Sequence, residues 1–138
     1  MKQAQHRLVV GTRGQGLWPI TTPVARWLGG QAIVTGLLTL WCRHTSASLL
    51  VQENADPDVQ ADLLDAFAGL APESAEYRHS SEGSDDMPAH IRAALTATQL
   101  SIPVEGGRMV LGTWQGLYLF EHRSAPHRRE IVLRVLGE

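Results

Sequence analysis

The chain contains a single cysteine, Cys42. That excludes an intramolecular disulfide and fits a reducing compartment, which predicts a cytoplasmic protein. An excess of positive charge is also missing. Twelve Lys and Arg against 14 Asp and Glu give a formal net charge of -2, so the electrostatic footprint of a nucleic-acid binder is lacking. Long apolar runs are absent as well. The most apolar stretch, GLLTLWC from Gly36 to Cys42, falls far short of the ~20 residues that span a bilayer. Met1 to Val10 has no apolar core of the kind that marks a secretory signal. Internal repeats, low-complexity segments and linker-like stretches are not found either. What remains is ordinary globular material, 43% hydrophobic and 19% charged. It predicts one domain over residues 1–138 around one core, with no membrane and no nucleic acid as partner. Cys42, set among apolar residues, reads as an inert core residue of a strand.

The order of elements follows from local patterns. HRLVVGT reads as a first strand. ITTPVARWLGG reads as a short helix, with Thr22 as cap, Pro23 at the first position and Gly29 at the end. AIVTGLLTLWCRH is a long run of strand formers, and SASLLVQEN reads as its partner strand. ADPDVQADLLDAFAGL is an amphipathic helix capped by Asp56, with Pro57 after it. Its apolar stripe is Val59, Leu63, Phe67 and Leu70, widened by Leu64. Pro88 is placed to open a further helix, PAHIRAALTATQ. The last third alternates like sheet in LSIPVEGG, RMVLGTWQG, LYLFEHR and REIVLRVLG, with the paired glycines of GTWQG marking a tight hairpin. Helices between early strands and a strand-rich end favour an α+β fold over a doubly wound one.

Several regions carry candidate chemistry. In CRHTSAS, strand alternation puts His44, Ser46 and Ser48 on one face. That face reads either as a pocket wall or as a strand end turned to water. No Gly-x-Ser-x-Gly elbow supports a serine nucleophile. Glu53 and Asn54 sit at a strand-to-helix junction, where functional groups find rigid support and where turns also need Asn. YRHSSEGSDDMPAH, from Tyr77 to His90, gathers Arg78, His79, Asp85, Asp86 and His90 around Gly83 and Pro88. Two histidines and a carboxylate are a workable set for zinc or another divalent metal, but the spacing matches no standard zinc module, and a solvated polar loop is the alternative. Further on, Trp114 in GTWQG has an apolar surface that calls for a pocket or interface, so it is expected to be shielded from water, with Thr113 or Gln115 beside it facing a ligand. Alternation places Glu121 among Leu117 and Leu119, where a carboxylate needs a partner or a site. Arg128 and Arg129 form a basic pair suited to phosphate, with a solvated turn as the default.

Taken together and in order, HTSASLLVQENADPDV, YRHSSEGSDDMPAHIRAAL and GRMVLGTWQGLYLFEHR resemble the YjbQ-like family, whose members have been described as having a secondary thiamine-phosphate synthase activity. The resemblance runs from about residue 7 to the C-terminus. It implies a compact α+β protein with a large mixed or antiparallel sheet core, sandwich-like, with two or three short helices. It also implies assembly as a homotrimer and a metal and anion pocket near the histidines. The family's polar positions fall here on His44, Glu53, Asn54, Arg78, His79, Asp86, His90, Thr113, Gln115 and Glu121. On this basis His44, His79 and His90 are expected to converge on a divalent metal, zinc first, with Asp86 supporting an imidazole. Glu53, Glu121 and Asp86 are the expected catalytic groups. Asn54, Arg78, Thr113, Gln115 and Arg129 are expected to bind a small phosphorylated metabolite. The implied activity is weak thiamine-phosphate synthesis. The alternatives are a non-catalytic trimeric binding protein for a phosphometabolite and a metal-dependent hydrolase.

Overall fold

The computed structural model describes residues 1–138 and consists of two antiparallel sheets that enclose the core, with helices outside. The larger sheet has the order β1 (Lys2–Thr12), β8 (His127–Gly137), β3 (Gly36–Cys42), β5 (Gln99–Glu105) and β6 (Arg108–Met109). The smaller sheet has the order β2 (Gly16–Pro19), β7 (Gln115–Glu121) and β4 (Ala47–Glu53). This is the α+β class that the order of elements favours, with the sandwich-like antiparallel core that the family resemblance implies.

Period-two alternation assigns the faces. Leu38, Leu40 and Cys42 of β3, with Ile131, Leu133 and Val135 of β8, turn inward from the larger sheet. Ala47 and Leu49 of β4 and Leu117 and Leu119 of β7 meet them from the smaller one. Each such fully buried Leu or Ile contributes about 1.5–3 kcal/mol of transfer free energy. The single thiol, Cys42, is buried there and pushed above its ordinary pKa by that burial. Strand β7 is central in its sheet and covered on both sides. Its opposite face, Tyr118 and Phe120, continued by His122, looks toward the helices, where Phe120 makes an edge-on contact with Phe67.

Helix α1 (Thr21–Gly29) buries Val24 and Leu28 against the core. Helix α2 (Pro57–Leu70) starts as expected, with the Asp56 carboxylate accepting from the Asp58 N–H at 2.9 Å. Its stripe lies on the smaller sheet without complete burial of any residue, and Leu70 is exposed, off the stripe. Helix α3 (Asp86–Leu95) buries Asp86, Pro88, Ala89 and Arg92. No helix is long and apolar enough to cross a membrane.

Several local expectations are corrected. Strands β3 and β4 follow one another in sequence but belong to different sheets, because β3 takes β5 and β8 as neighbours while β4 takes β7. The segment Gly112–Gln115 is no hairpin. β6 pairs with β5 and β7 pairs with β4 and β2, so the turn carries the chain from one sheet to the other. The short strand β2 has too few residues to show a pattern. Helix α1 begins at Thr21 rather than at Pro23, so Thr22 lies inside the first turn instead of capping it, and the Thr21 hydroxyl accepts from the Leu117 N–H at 2.8 Å. Helix α3 begins two residues before Pro88, which then occupies the first turn where its missing N–H costs nothing. It ends at Leu95, because Ala97 bridges to Leu49 and Gln99 opens β5.

Candidate metal centre

Helix α3 begins in the polar segment and brings two of its side chains to a third from the loop. Asp86, in the first helical turn, is 4% exposed. His90 follows one turn later, and its Nε2 lies 3.3 Å from Asp86 Oδ2. His79, on the irregular loop, places its own Nε2 2.5 Å from the same oxygen. The ligand atoms of His79, Asp86 and His90 all lie within 4.8 Å of one another. Asp86 Oδ1 is occupied separately by Arg123 Nη1 at 2.7 Å. Burial opposes the Asp86 charge, but the hydrogen bond from His79 and the charges of Arg123, His90 and His79 outweigh it, so its pKa lies below the ordinary carboxylate value.

The donor chemistry fits a divalent cation. Two imidazole nitrogens and one carboxylate oxygen are a set that zinc accepts, and donors around a tetrahedral zinc at about 2.0–2.1 Å stand about 3.3 Å apart. His90 and Asp86 are already at that separation. His79 is closer than that, so holding an ion requires its imidazole, 43% exposed on the loop, to draw back from Asp86. Beside His79 opens a cavity of about 430 Å3 bordered by Glu73, Glu76 and Ser80.

Arg123 organises this group, and reading the sequence did not single it out. Its Nε donates to Asp85 Oδ2 at 3.0 Å and its Nη2 to the Glu82 carbonyl at 3.0 Å. The hydrogen bond from Asp85 and the surrounding carboxylates raise its pKa. Asp85 also accepts from the Ser124 N–H at 2.9 Å, so the end of the β7 segment is tied to the start of α3. The available signal was the adjacent pair Asp85 and Asp86, since two neighbouring carboxylates call for a shared cation.

The third predicted histidine is not part of the group. His44 lies past the end of β3, and its Nε2 accepts from the Glu130 N–H at 2.8 Å. That contact leaves the proton on Nδ1, which faces Arg129 Nη1 at 3.5 Å. Two donors cannot bond there, and burial first, then the Arg129 charge, hold the imidazole neutral with a lowered pKa. Glu121 and Arg129 explain one another. Arg129 Nε donates to Glu121 Oε1 at 2.8 Å, and Thr12 Oγ1 donates to the same oxygen at 2.6 Å. Both residues are buried, so Glu121 has the partner that its place on an apolar face demanded.

The remaining predicted residues, Arg78 apart, lie elsewhere. Strands β4 and β7 are antiparallel with Ala47 opposite Glu121 and Glu53 opposite Gln115. At about 3.4 Å per residue, the Glu53–Gln115 end stands about 20 Å from the Glu121 end. At that far end Glu53 Oε2 accepts from the Asp56 N–H at 3.1 Å, and the Asn54 N–H donates to the Trp114 carbonyl at 3.0 Å. Gln115 Oε1 closes its own turn by accepting from the Gly112 N–H at 2.8 Å. Thr113 is exposed, as is Arg78 on the loop with His79. The expectation that Trp114 is shielded is corrected: it is 63% exposed, because the inter-sheet turn projects beyond the strands and nothing in the chain covers it.

Residues 6–138 match the family model described as UPF0047 protein YjbQ-like. The chain belongs to the YjbQ-like UPF0047 family. It is 52% identical to a UPF0047 protein of Synechocystis over 99% of this chain and 94% of that protein. It is 42% identical to the UPF0047 protein YjbQ of Salmonella typhimurium over 97% of this chain and 98% of that one. Among solved structures, a conserved hypothetical protein from Thermus thermophilus superposes with a TM-score of 0.85 at 40% identity, covering 95% of this chain and 99% of the other. In this YjbQ-like chain the predicted polar residues therefore divide into three groups. One is His79, Asp86 and His90 with Arg123, the second is the Glu121–Arg129 pair beside His44, and the third is the Glu53–Gln115 end of the smaller sheet.

Proposed function

We propose that this protein is a metal-dependent enzyme acting on a small phosphorylated metabolite, with weak thiamine-phosphate synthase turnover among its activities. The observation that carries the reading is the convergence of His79, Asp86 and His90 on one point at the edge of an open cavity. These three would hold the cation, zinc first. A bound divalent ion supplies positive charge to phosphate or diphosphate oxygens. Arg123 keeps Asp86 ionised and aimed at the imidazoles. Arg78, exposed on the same loop, is the side chain free to pair with a phosphate. In the synthase reaction the thiazole nitrogen bonds to the pyrimidine methylene carbon while the carbon–oxygen bond to diphosphate breaks, diphosphate leaving with the electron pair. The work of this chain in that step is to bind and steady the leaving group. A hydrolytic reading is favoured by one feature of the same group: three protein donors leave a tetrahedral ion a position for water.

Assembly as a homotrimer is part of the proposal. Leu37, Trp41 and Leu136 stand exposed on the outer face of the larger sheet, and Leu37 lies directly opposite Leu136. The separation of the histidine group from the Glu53–Gln115 end supports a site completed where one subunit's Glu53–Gln115 end meets the next subunit's histidines. The test is metal analysis of the purified protein, with turnover of a pyrimidine diphosphate plus a thiazole phosphate measured beside hydrolysis of a simple phosphate ester. Stoichiometric zinc with turnover in the first assay supports the synthase reading. Zinc with turnover only in the second makes the protein a hydrolase. Ligand binding with no turnover makes it a binding protein, and no bound metal removes the proposal. Mixing Glu53→Gln subunits with His90→Ala subunits restores activity if the site is shared and leaves it absent if each subunit is self-sufficient.

A further inference from the structure

Arg92 points into the layer between the smaller sheet and the two outer helices, and it is 7% exposed. Its Nη2 donates to the Ala71 carbonyl at 3.1 Å. Its Nε is fully enclosed and has no partner. Eight ion pairs occur in the protein and none includes Arg92. The carboxylate best placed to serve, Glu121, is engaged already by Arg129, Thr12 and the N–H groups of His122 and Arg123. A buried guanidinium without a countercharge is costly, and cavity water meets its hydrogen-bonding need but not its charge.

The cavity that Arg92 lines measures about 190 Å3. Leu64, Phe67, Ala68 and Phe120 supply its apolar walls, with the exposed Gln15 at its mouth. The Phe67 and Phe120 rings meet edge-on with centroids 5.2 Å apart. An apolar cavity of about 150 Å3 accommodates a benzene molecule, so this one has room for one ring and a small substituent. Glu121 also lines the space, but its carboxylate is held by Arg129 from behind, so the three charges together leave one positive charge beside it. His90 and Arg92 are two positions apart on α3, roughly 200° around the helix. The cavity is therefore on the side of α3 away from the metal-ligating group, and the inference stands without the proposed function.

We propose that this cavity is a binding site for a small organic monoanion, whose carboxylate pairs with Arg92 while a flat or branched apolar body lies against Phe67 and Phe120. A carboxylate matches the planar edge of a guanidinium in two parallel hydrogen bonds. A compact apolar body displaces poorly held water from the phenylalanine walls.

The full-length protein, 15N-labelled, is titrated with sodium benzoate, with neutral benzamide and with sodium acetate. Benzoate is expected to shift the Arg92 Nε–H and the Phe67 and Phe120 amide signals saturably. Benzamide and acetate should each bind more weakly by about tenfold or more, since one lacks the charge and the other the ring. Arg92→Met keeps the volume, removes the charge and should lose benzoate binding. If that variant does not fold, Ala68→Leu, which narrows the cavity from the exposed side of α2, should weaken benzoate while leaving Arg92 in place. Absence of saturable shifts would show a water-filled cavity, equal binding of benzamide would show that the charge plays no part, and unchanged benzoate binding in the folded variant would place benzoate elsewhere; each overturns the proposal. Acetate binding as tightly as benzoate would overturn its apolar half.

Discussion

Glu121 and Arg129 meet inside the protein in a two-point contact, Nε to Oε1 at 2.8 Å and Nη2 to Oε2 at 2.5 Å, with Glu121 fully buried and Arg129 4% exposed. The same guanidinium reaches the Ser46 carbonyl and hydroxyl, so the pair anchors the turn that carries His44. Glu121→Gln leaves a buried guanidinium without its countercharge, and unfolding in urea should show a loss of about 3–5 kcal/mol. The hydrogen bonds from Arg129 and Thr12 outweigh burial and hold the Glu121 pKa below its ordinary 4.5. Its contribution is therefore complete above the ordinary carboxylate range and disappears as pH falls through the depressed folded-state value. A Gln variant as stable as the parent would make Glu121 a site residue rather than an anchor.

His79→Ala and His90→Ala should each remove most bound zinc, measured by elemental analysis after dialysis. Asp86→Asn should do the same and also release Arg123. His44→Ala should keep the metal, because its Nε2 is already taken by a backbone N–H. Ligating imidazoles must be neutral, so occupancy in the parent should fall on acidification. Retention of full zinc by both the His79 and His90 variants would place the ion elsewhere.

Acid stability should depend on His122. Its ring is fully buried, with Nε2 2.9 Å from the Ser48 hydroxyl and Nδ1 unpartnered. Burial first, then the nearby Arg92 charge, lowers its pKa from 6.5 to about 3. Between these two values the unfolded chain binds a proton that the folded chain does not. Stability should therefore drop as pH falls from 6.5 toward about 3, by at most about 1.4 kcal/mol per pH unit from this group. His122→Gln should flatten that part of the profile in thermal melts, and an unchanged slope would assign it to other groups.

Trp114→Ala should cost less than about 1 kcal/mol in the isolated subunit, since the indole is mostly in water. The same change should weaken the assembly if the projecting turn packs against a second copy, which light scattering at falling concentration would reveal. Equal assembly by the parent and the variant would make Trp114 a bystander.

Gln115→Ala should open the turn at its own end of β7. The Gly112 N–H then loses its acceptor at 2.8 Å, a loss of about 1 kcal/mol. Turnover falling much further than stability would show that Gln115 also meets ligand, whereas a matched small decline would leave it a turn residue.

Much of this was legible in the chain itself. Alternation separated the two faces of β7, Leu117 and Leu119 on one and Tyr118 and Phe120 on the other, because successive side chains of a strand point to opposite sides. Asp56 and Pro57 marked the start of α2, since their roles depend on neighbouring N–H groups alone. The crowding of His79, Asp86 and His90 on one short segment was visible as composition, and His90 lies one helical turn from Asp86 as the i, i+4 spacing dictates. Strand partnership was decided only by the tertiary structure, because β3 and β4 both carry inward apolar residues and sequence order does not say which sheet each joins. The same holds for His44. Its residue type suits a metal, but the Glu130 N–H that takes its Nε2 comes from 86 residues away. Tertiary packing likewise gave Glu121 its arginine, 8 residues on but in the other sheet, Asp86 its Arg123, and Arg92 an enclosed space with no countercharge. Periodicity and capping are local physics written residue by residue, while the partner of a buried charge is set by which strands close the core.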